Sequence, residues 1–225
     1  MIRLVNICKS YRVGRKKRII LDHLDVDFEP GVHTGILGRN GSGKSTLVNI
    51  IGGAAFPDAG RVERTSSISW PIGFTGCINS KLSGRANLNF ICRLYGGDVN
   101  EIIEFVREFS EVGEYLDMPV KKYSPGMAAK LAYSLCMALG FDFYLVDEVT
   151  TVGDAAFRAK CKTILEQRKK SASMIVVSHN VATIRKHCQH VGVLDNGTIV
   201  FHNDVESAIA HYEEISANPM EIRFA

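Results

Sequence analysis

Long apolar runs are missing from this chain. No stretch among its 225 residues approaches the roughly 20 consecutive apolar residues that a membrane helix needs. The start lacks the charged-then-apolar order of a signal segment. The expectation is a chain that does not cross a bilayer alone, so that any membrane association runs through a partner. Charge of one sign is also scarce. A net charge of +3 is too small to argue for a nucleic-acid partner. Six cysteines (Cys8, Cys77, Cys92, Cys136, Cys161 and Cys188) are scattered without a C-x-x-C pair. That spacing speaks against a zinc site or a disulfide frame and for reduced, mostly buried thiols in a cytosolic protein. Internal repeats and low-complexity tracts are absent as well. What remains, 46% hydrophobic and 23% charged residues, is the ordinary make-up of a folded domain with one good core.

Against that plain background one stretch stands out. Gly38-Arg39-Asn40-Gly41-Ser42-Gly43-Lys44-Ser45 is a complete G-x-x-x-x-G-K-[ST] phosphate loop. The apolar run Val32 to Leu37 leads in as a buried strand, and Thr46 to Ile51 leads out as a helix. Glycines let the loop curl with its N–H groups inward, as a nest for an anion. The following helix points its positive dipole end at the same place. In this reading Lys44 reaches the β- and γ-phosphates, and the Ser45 hydroxyl ligates Mg²⁺.

Before the loop, Ile2 to Val5 and Ile19 to Phe28 read as strands, with Arg15-Lys16-Lys17-Arg18 as a solvated loop between them. After it, Pro57-Asp58-Ala59-Gly60 is a turn, and residues 61–75 look like short strands. From Gly84 to Leu139 the pattern is helical. Leu88, Ile91, Cys92 and Tyr95 share one face, as do Ile102, Phe105, Val106 and Phe109. Strands return at Phe143 to Val146, Met174 to Val177, Gly192 to Leu194 and, after the tight Asn196-Gly197 turn, Thr198 to Phe201. A helix is expected at Ala155 to Lys169 and another at Val205 to Ile215, with 216–225 as a loosely held tail. Alternating strands and helices behind a phosphate loop imply a largely parallel sheet. The architecture is an α/β nucleotide-binding lobe interrupted by a helical lobe.

Further site candidates lie at strand ends. Asp147 closes the apolar strand Phe143 to Val146, where it is placed to hold Mg²⁺. Glu148 follows as a base that orients and deprotonates the attacking water. His179 follows Met174 to Ser178 on the edge of the sheet where ligands bind in such folds, placed to contact the γ-phosphate. Ser124 and Gly126 sit at the start of the helical run Ala128 to Leu139, which again favours an anion.

In this order and spacing the motifs resemble the ATP-binding subunits of ABC transporters, over nearly the whole chain. The resemblance implies a P-loop NTPase fold of ABC type: a RecA-like α/β core with an antiparallel β section and an inserted helical subdomain. It implies one ABC domain over 1–215, with a core lobe of 1–78 and 140–215, a helical subdomain of about 79–139 and a tail from 216. Ser124-Pro125-Gly126 stands at the signature motif, with Pro125 in place of a small residue and Met127 in place of the usual glutamine. Thr151-Val152-Gly153-Asp154 stands at the D-loop, with Asp154 as its acid. Tyr11 lies where an aromatic residue stacks on adenine, and Asn79 lies near the Q-loop glutamine. The implied cofactors are ATP and Mg²⁺. Two copies would face head to tail, each ATP lying between Lys44, Ser45, Asp147, Glu148 and His179 of one chain and Ser124 and Gly126 of the other.

Ile68 to Gly73, Gly84-Arg85-Ala86-Asn87 and Asp147 to Asp154 are similar to the subfamily that exports polysaccharides, with Val149 where most members carry proline. That implies a capsular polysaccharide exporter. The chain would sit peripherally on the cytoplasmic face of the bacterial inner membrane, and an integral membrane permease would handle the polymer. O-antigen or teichoic acid export, a small-solute importer subunit and an ABC ATPase without a membrane partner are the alternatives. The coupling surface is expected around Lys81 to Tyr95.

Overall fold

A computed structural model describes residues 1–147, 152–219 and 223–224. In chain order the elements are β1 (Ile2–Val13), β2 (Lys16–Phe28), β3 (Thr34–Leu37), α1 (Lys44–Ile51), β4 (Ala59–Arg64), α2 (Gly84–Tyr95), α3 (Val99–Ser110) and α4 (Pro125–Ala138). Then come β5 (Phe143–Asp147), α5 (Ala155–Lys169), β6 (Ser173–Ser178), α6 (Val181–His187), β7 (His190–Asp195), β8 (Thr198–His202) and α7 (Val205–Ala217). Contacts group them into two units. One comprises Met1–Pro71, Asp142–Glu148 and Ala172–Ala225, the other Ile72–Phe141 and Val149–Ser171.

The first unit holds both sheets. β1 is the centre of an antiparallel sheet of order β2-β1-β4. The second sheet runs β5-β6-β3-β7-β8, parallel throughout except for β8. β3 and β6 are buried along their whole length, as strands covered on both faces must be. Asn196 (φ 47°) and Gly197 (φ 84°) make the tight turn that reverses β7 into β8. The core gathers Ile2, Leu4 and Phe28 of the first sheet, Leu47 and Ile51 of α1, and Phe143 and Ile175 of the second. Burying a side chain of this size contributes about 1.5–3 kcal/mol.

Several expectations are corrected in this unit. β1 and β2 continue to Val13 and Lys16, so only Gly14 and Arg15 turn, and Lys16 to Arg18 are paired strand residues rather than a solvated loop. Lys16 and Lys17 keep their charges exposed to water while their backbones pair with Val13 and Arg12, and Gly14 (φ 61°) lets the chain reverse at once. Between 61 and 75 a strand persists only to Arg64, followed by a single bridge from Ile68 to Phe143. α6 had no counterpart in the sequence reading. α7 runs on to Ala217, and beyond it Arg223 and Phe224 are tied down rather than loose. The Ile19 N–H donates to the Arg223 carbonyl at 3.0 Å, Arg18 bridges Phe224, and Arg223 pairs with Asp22 at 2.8 Å.

The second unit is helical. Ser83 caps α2, Asp98 caps α3, Ser124 caps α4 and Asp154 caps α5, each accepting backbone N–H bonds in the first turn. Pro125 takes the first helical position of α4, where its missing N–H costs nothing. Leu88, Ile91 and Cys92 are buried as expected, but Tyr95 turns outward, its ring edge-on to Phe141. On α3, Ile102 and Val106 are buried, while Phe105 and Phe109 stack on one another at the rim. Among the described residues no helix is long and apolar enough to cross a membrane.

Candidate functional site

The phosphate loop is shaped by its glycines. Gly41 (φ 82°) and Gly43 (φ 107°) occupy backbone conformations that side chains rarely adopt. A Cβ on Gly38 would meet the Ser42 hydroxyl at 2.7 Å, and one on Gly43 would meet Ile20 at 2.7 Å. The Lys44 ammonium curls back to donate to the Gly38 carbonyl at 2.7 Å and the Arg39 carbonyl at 3.0 Å. Burial lowers the lysine's pKa, opposed by the field of Asp147. Burial raises the Asp147 carboxyl in turn, opposed by Lys44. Each group therefore sits in the other's field at the mouth of the loop. The Ser42 hydroxyl is buried with no hydrogen-bond partner. A buried polar group left this way is costly. A ligand oxygen in the loop would relieve it.

Strand register assembles the rest of this edge. Leu37 pairs with Ser178, and Asp147 pairs with Val177. Gly38, Asp147 and His179 thus emerge at the carboxyl ends of three adjacent parallel strands, the place where α/β sheets bind ligands. Asn40, Gly41, Ser45 and His179 are exposed. Thr46 is half-buried in the first turn of α1. Tyr11 is 45% exposed on β1, with the Lys9 ammonium 5.5 Å from its ring centre. Its pairing partner on β2 is Arg18, which donates to the Gly41 carbonyl at 2.9 Å. Arg39 is held by Asp195 at 3.1 Å and by the Asn218 carbonyl. Glu148, Val149, Thr150 and Thr151 lie outside the described residues.

The remaining candidates lie in the helical unit. The Ser124 hydroxyl accepts from the Met127 N–H at 3.2 Å, and Gly126 beside it is exposed. Asp154 accepts from the Phe157 N–H at 2.9 Å and from Lys130 at 3.1 Å. These bonds, the Phe157 N–H first, hold its pKa down at about 2. The Asn79 carboxamide accepts from the Lys81 N–H at 3.0 Å, while buried Asn87 takes the Asn79 N–H at 2.7 Å and donates to its carbonyl at 3.0 Å. Its side chain is therefore engaged by its own turn. Arg18 and Lys130 were missed in the sequence. Arg18 was folded into a charge run, and Lys130 carries no motif. Among the described residues no cluster of three or more histidine, cysteine or acidic side chains is arranged to hold a metal ion.

The family model described as ABC transporter matches residues 21–151. The chain belongs to the ABC transporter family. Among curated relatives of this ABC subunit, the ATP-binding protein BexA of Haemophilus influenzae is 44% identical over 95% of this chain and 99% of its own length. The capsule polysaccharide export ATP-binding protein CtrD of Neisseria meningitidis serogroup B is 42% identical over 96% of this chain and 100% of its own. The teichoic acids export ATP-binding protein TagH of Staphylococcus haemolyticus is 33% identical over 95% and 88%. Among solved structures, the dimeric post-hydrolysis state of the cassette MJ0796 bound to ADP and Pi superposes with a TM-score of 0.73. It covers 91% of this chain and 99% of that one at 21% identity, which shows the shared fold. The fold is thus that of an ABC ATPase cassette, an α/β core with an antiparallel sheet and added helices.

Proposed function

We propose that this ABC subunit hydrolyses ATP to drive export of capsular polysaccharide across the bacterial inner membrane. The observation that carries the ATPase reading is the phosphate loop itself. Its Ser42 hydroxyl is buried without a partner, its Lys44 ammonium turns back onto the loop's own Gly38 and Arg39 carbonyls, and Asp147 lies within the field of that ammonium. The polymer is argued from relatives. Those named for capsule or polysialic acid transport are 41–42% identical, against 33% for the teichoic acid exporter.

In this reading the backbone from Gly38 to Gly43 cradles the phosphates, and Lys44 leaves its two carbonyls to meet the β- and γ-oxygens. Thr46 supports the start of α1, Arg39 and Asn40 line the loop, and Tyr11 stacks on the base. Ser45 and Asp147 offer hard oxygen donors suited to Mg²⁺, which supplies charge neutralisation on the phosphates when bound. Glu148 takes the proton of the attacking water, and His179 orients it. A second copy, facing head to tail, contributes Ser124 and Gly126, with Asp154 beside the contact and Asn79 at the hinge toward the permease. The domain acts as one unit over 1–215. Exposed Leu82, Phe90, Leu94 and Tyr95 are the surface we assign to the integral membrane permease, which handles the polymer. The subunit is peripheral, on the cytoplasmic face.

Two experiments test this. Glu148→Gln should lower ATP turnover by roughly two to four orders of magnitude, as loss of a general base does, while ATP still binds. Near-normal turnover refutes the assigned role. Deleting the gene should leave the surface polymer inside the cell, and a normal capsule removes the export claim.

A further inference from the structure

The tip of the phosphate loop is a turn. The Ser42 N–H donates to the Arg39 carbonyl at 3.1 Å, with Asn40 and Gly41 between them. Gly41 holds φ 82°, as the third residue of a type II turn must. Asn40 and Gly41 are both exposed, so packing alone does not fix this turn. β2 runs along its back. Arg18 and Ile20 stand two residues apart, and so on one face of the strand, and each meets a glycine of the loop. The Arg18 guanidinium donates to the Gly41 carbonyl at 2.9 Å. The Ile20 side chain lies 2.7 Å from the place of a Cβ on Gly43. The strand is held on both sides at this point. Arg18 pairs with Tyr11 of β1 and bridges Phe224, and the Ile19 N–H donates to the Arg223 carbonyl at 3.0 Å. A long side chain gives up rotamer freedom to make one bond, but here the backbone that carries it is already fixed.

We propose that Arg18 is a positioning residue for nucleotide binding: it holds the Gly41 carbonyl outward and so presets the phosphate loop before ATP arrives. The inference deepens the ATPase reading above and rests on it. A loop that turns N–H groups toward an anion must turn its carbonyls away. Lys44 occupies the Gly38 and Arg39 carbonyls only until it moves to the phosphates. Arg18 reaches Gly41 from β2 rather than from the loop, so its bond survives that move. Without it the Gly41–Ser42 peptide is free to rotate, and ATP must restore the turn at a cost in affinity. Once bound nucleotide has restored it, hydrolysis proceeds as before.

The test uses the full chain with Arg18→Met, Arg18→Lys and, as a control, Arg12→Met. Arg12 is an exposed cation on the same hairpin, paired across the sheet with Lys17. Calorimetric titration with ADP and with a non-hydrolysable ATP analogue reads affinity. Arg18→Met should weaken both about three- to tenfold, the worth of one net hydrogen bond. Arg18→Lys should bind within about twofold of wild type, because one N–H to one carbonyl needs no planar fork. Arg12→Met should bind as wild type does. In turnover, KM for ATP should rise in step with the dissociation constant in Arg18→Met, while kcat stays within about twofold. Amide exchange at 42–43 in the nucleotide-free chain should quicken in Arg18→Met and return to the wild-type rate in Arg18→Lys. The proposal is overturned if Arg18→Met keeps wild-type affinity, if lysine fails to rescue, or if kcat falls instead of KM rising. An equal loss in Arg12→Met overturns it too, as a general pull on the phosphates rather than a grip on the loop. So does unchanged exchange at 42–43, which would put Arg18 on the nucleotide and not on the turn. Failure of the ATPase reading looks different: the wild-type chain binds neither ADP nor the analogue, while exchange at 42–43 still quickens in Arg18→Met.

Discussion

Replacing Gly43 by alanine puts a methyl group where the phosphate loop has no room. The backbone there holds φ 107° and ψ 6° at the residue that opens α1. The new carbon would lie 2.7 Å from the Ile20 side chain and 3.2 Å from its carbonyl oxygen. The left-handed backbone costs about 1–2 kcal/mol for a residue with a Cβ, and forcing an extra methyl into packed surroundings costs about 1–3 kcal/mol more. The loop can escape only by rotating out of the conformation that turns its N–H groups inward. If the nucleotide must restore it, a penalty of about 2–4 kcal/mol weakens ATP binding by about 30-fold or more. Gly31→Ala is the control. Gly31 also has positive φ, 83°, but nothing lies within 4 Å of its Cβ position. That variant should lose about 1 kcal/mol of stability and leave ATP affinity unchanged. Calorimetric titration with a non-hydrolysable ATP analogue, beside thermal melts of both variants, reads the two effects. Equal ATP affinity in Gly43→Ala and wild type refutes the argument that this backbone shape is the binding site.

Lys44→Ala removes a charge-assisted hydrogen bond to phosphate, so ATP affinity should fall about 10- to 100-fold by the same titration. Its thermal midpoint should hold or rise, because burial already disfavours this ammonium. The capping carboxylate Asp154 has a folded pKa of about 2, below its ordinary 3.8. Such a depressed acid stabilises the fold fully above about pH 4 and loses that contribution as pH falls through about 2. The midpoint difference between wild type and Asp154→Ala should therefore be constant from pH 7 to about 5 and shrink below about 4. A difference that stays constant down to pH 2 contradicts the Lys130 and Phe157 contacts as its source.

What the sequence disclosed and what it hid divide along physical lines. The phosphate loop, α5 and the parallel strands are written locally, in glycines with positive φ, in an Asp154 cap and in unbroken apolar runs. The bounds of α5 fall at Ala155 and Lys169, as read from the sequence. The long β1–β2 hairpin was hidden because its charged end, Lys16 to Arg18, is held in the strand by backbone pairing with Tyr11 to Val13, which no local pattern reveals. α6 was hidden because seven residues with only Ile184 fully buried do not complete a hydrophobic period. Tyr95 follows the spacing of its helix but ends it, where packing against Phe141 turns the ring outward. At the site, the residue types of the loop were legible, yet the grip of Arg18 on Gly41 and of Arg39 on Asp195 depends on chain segments far apart in sequence.

The pairing of residues 223 and 224 with β2 has a use in spectroscopy. Phe224 bridges Arg18, and Arg18 grips the Gly41 carbonyl inside the phosphate loop. A fluorophore attached at position 224 would therefore be linked to the loop through a single side chain. Its emission would follow loading and emptying of the cradle in real time, without a labelled nucleotide.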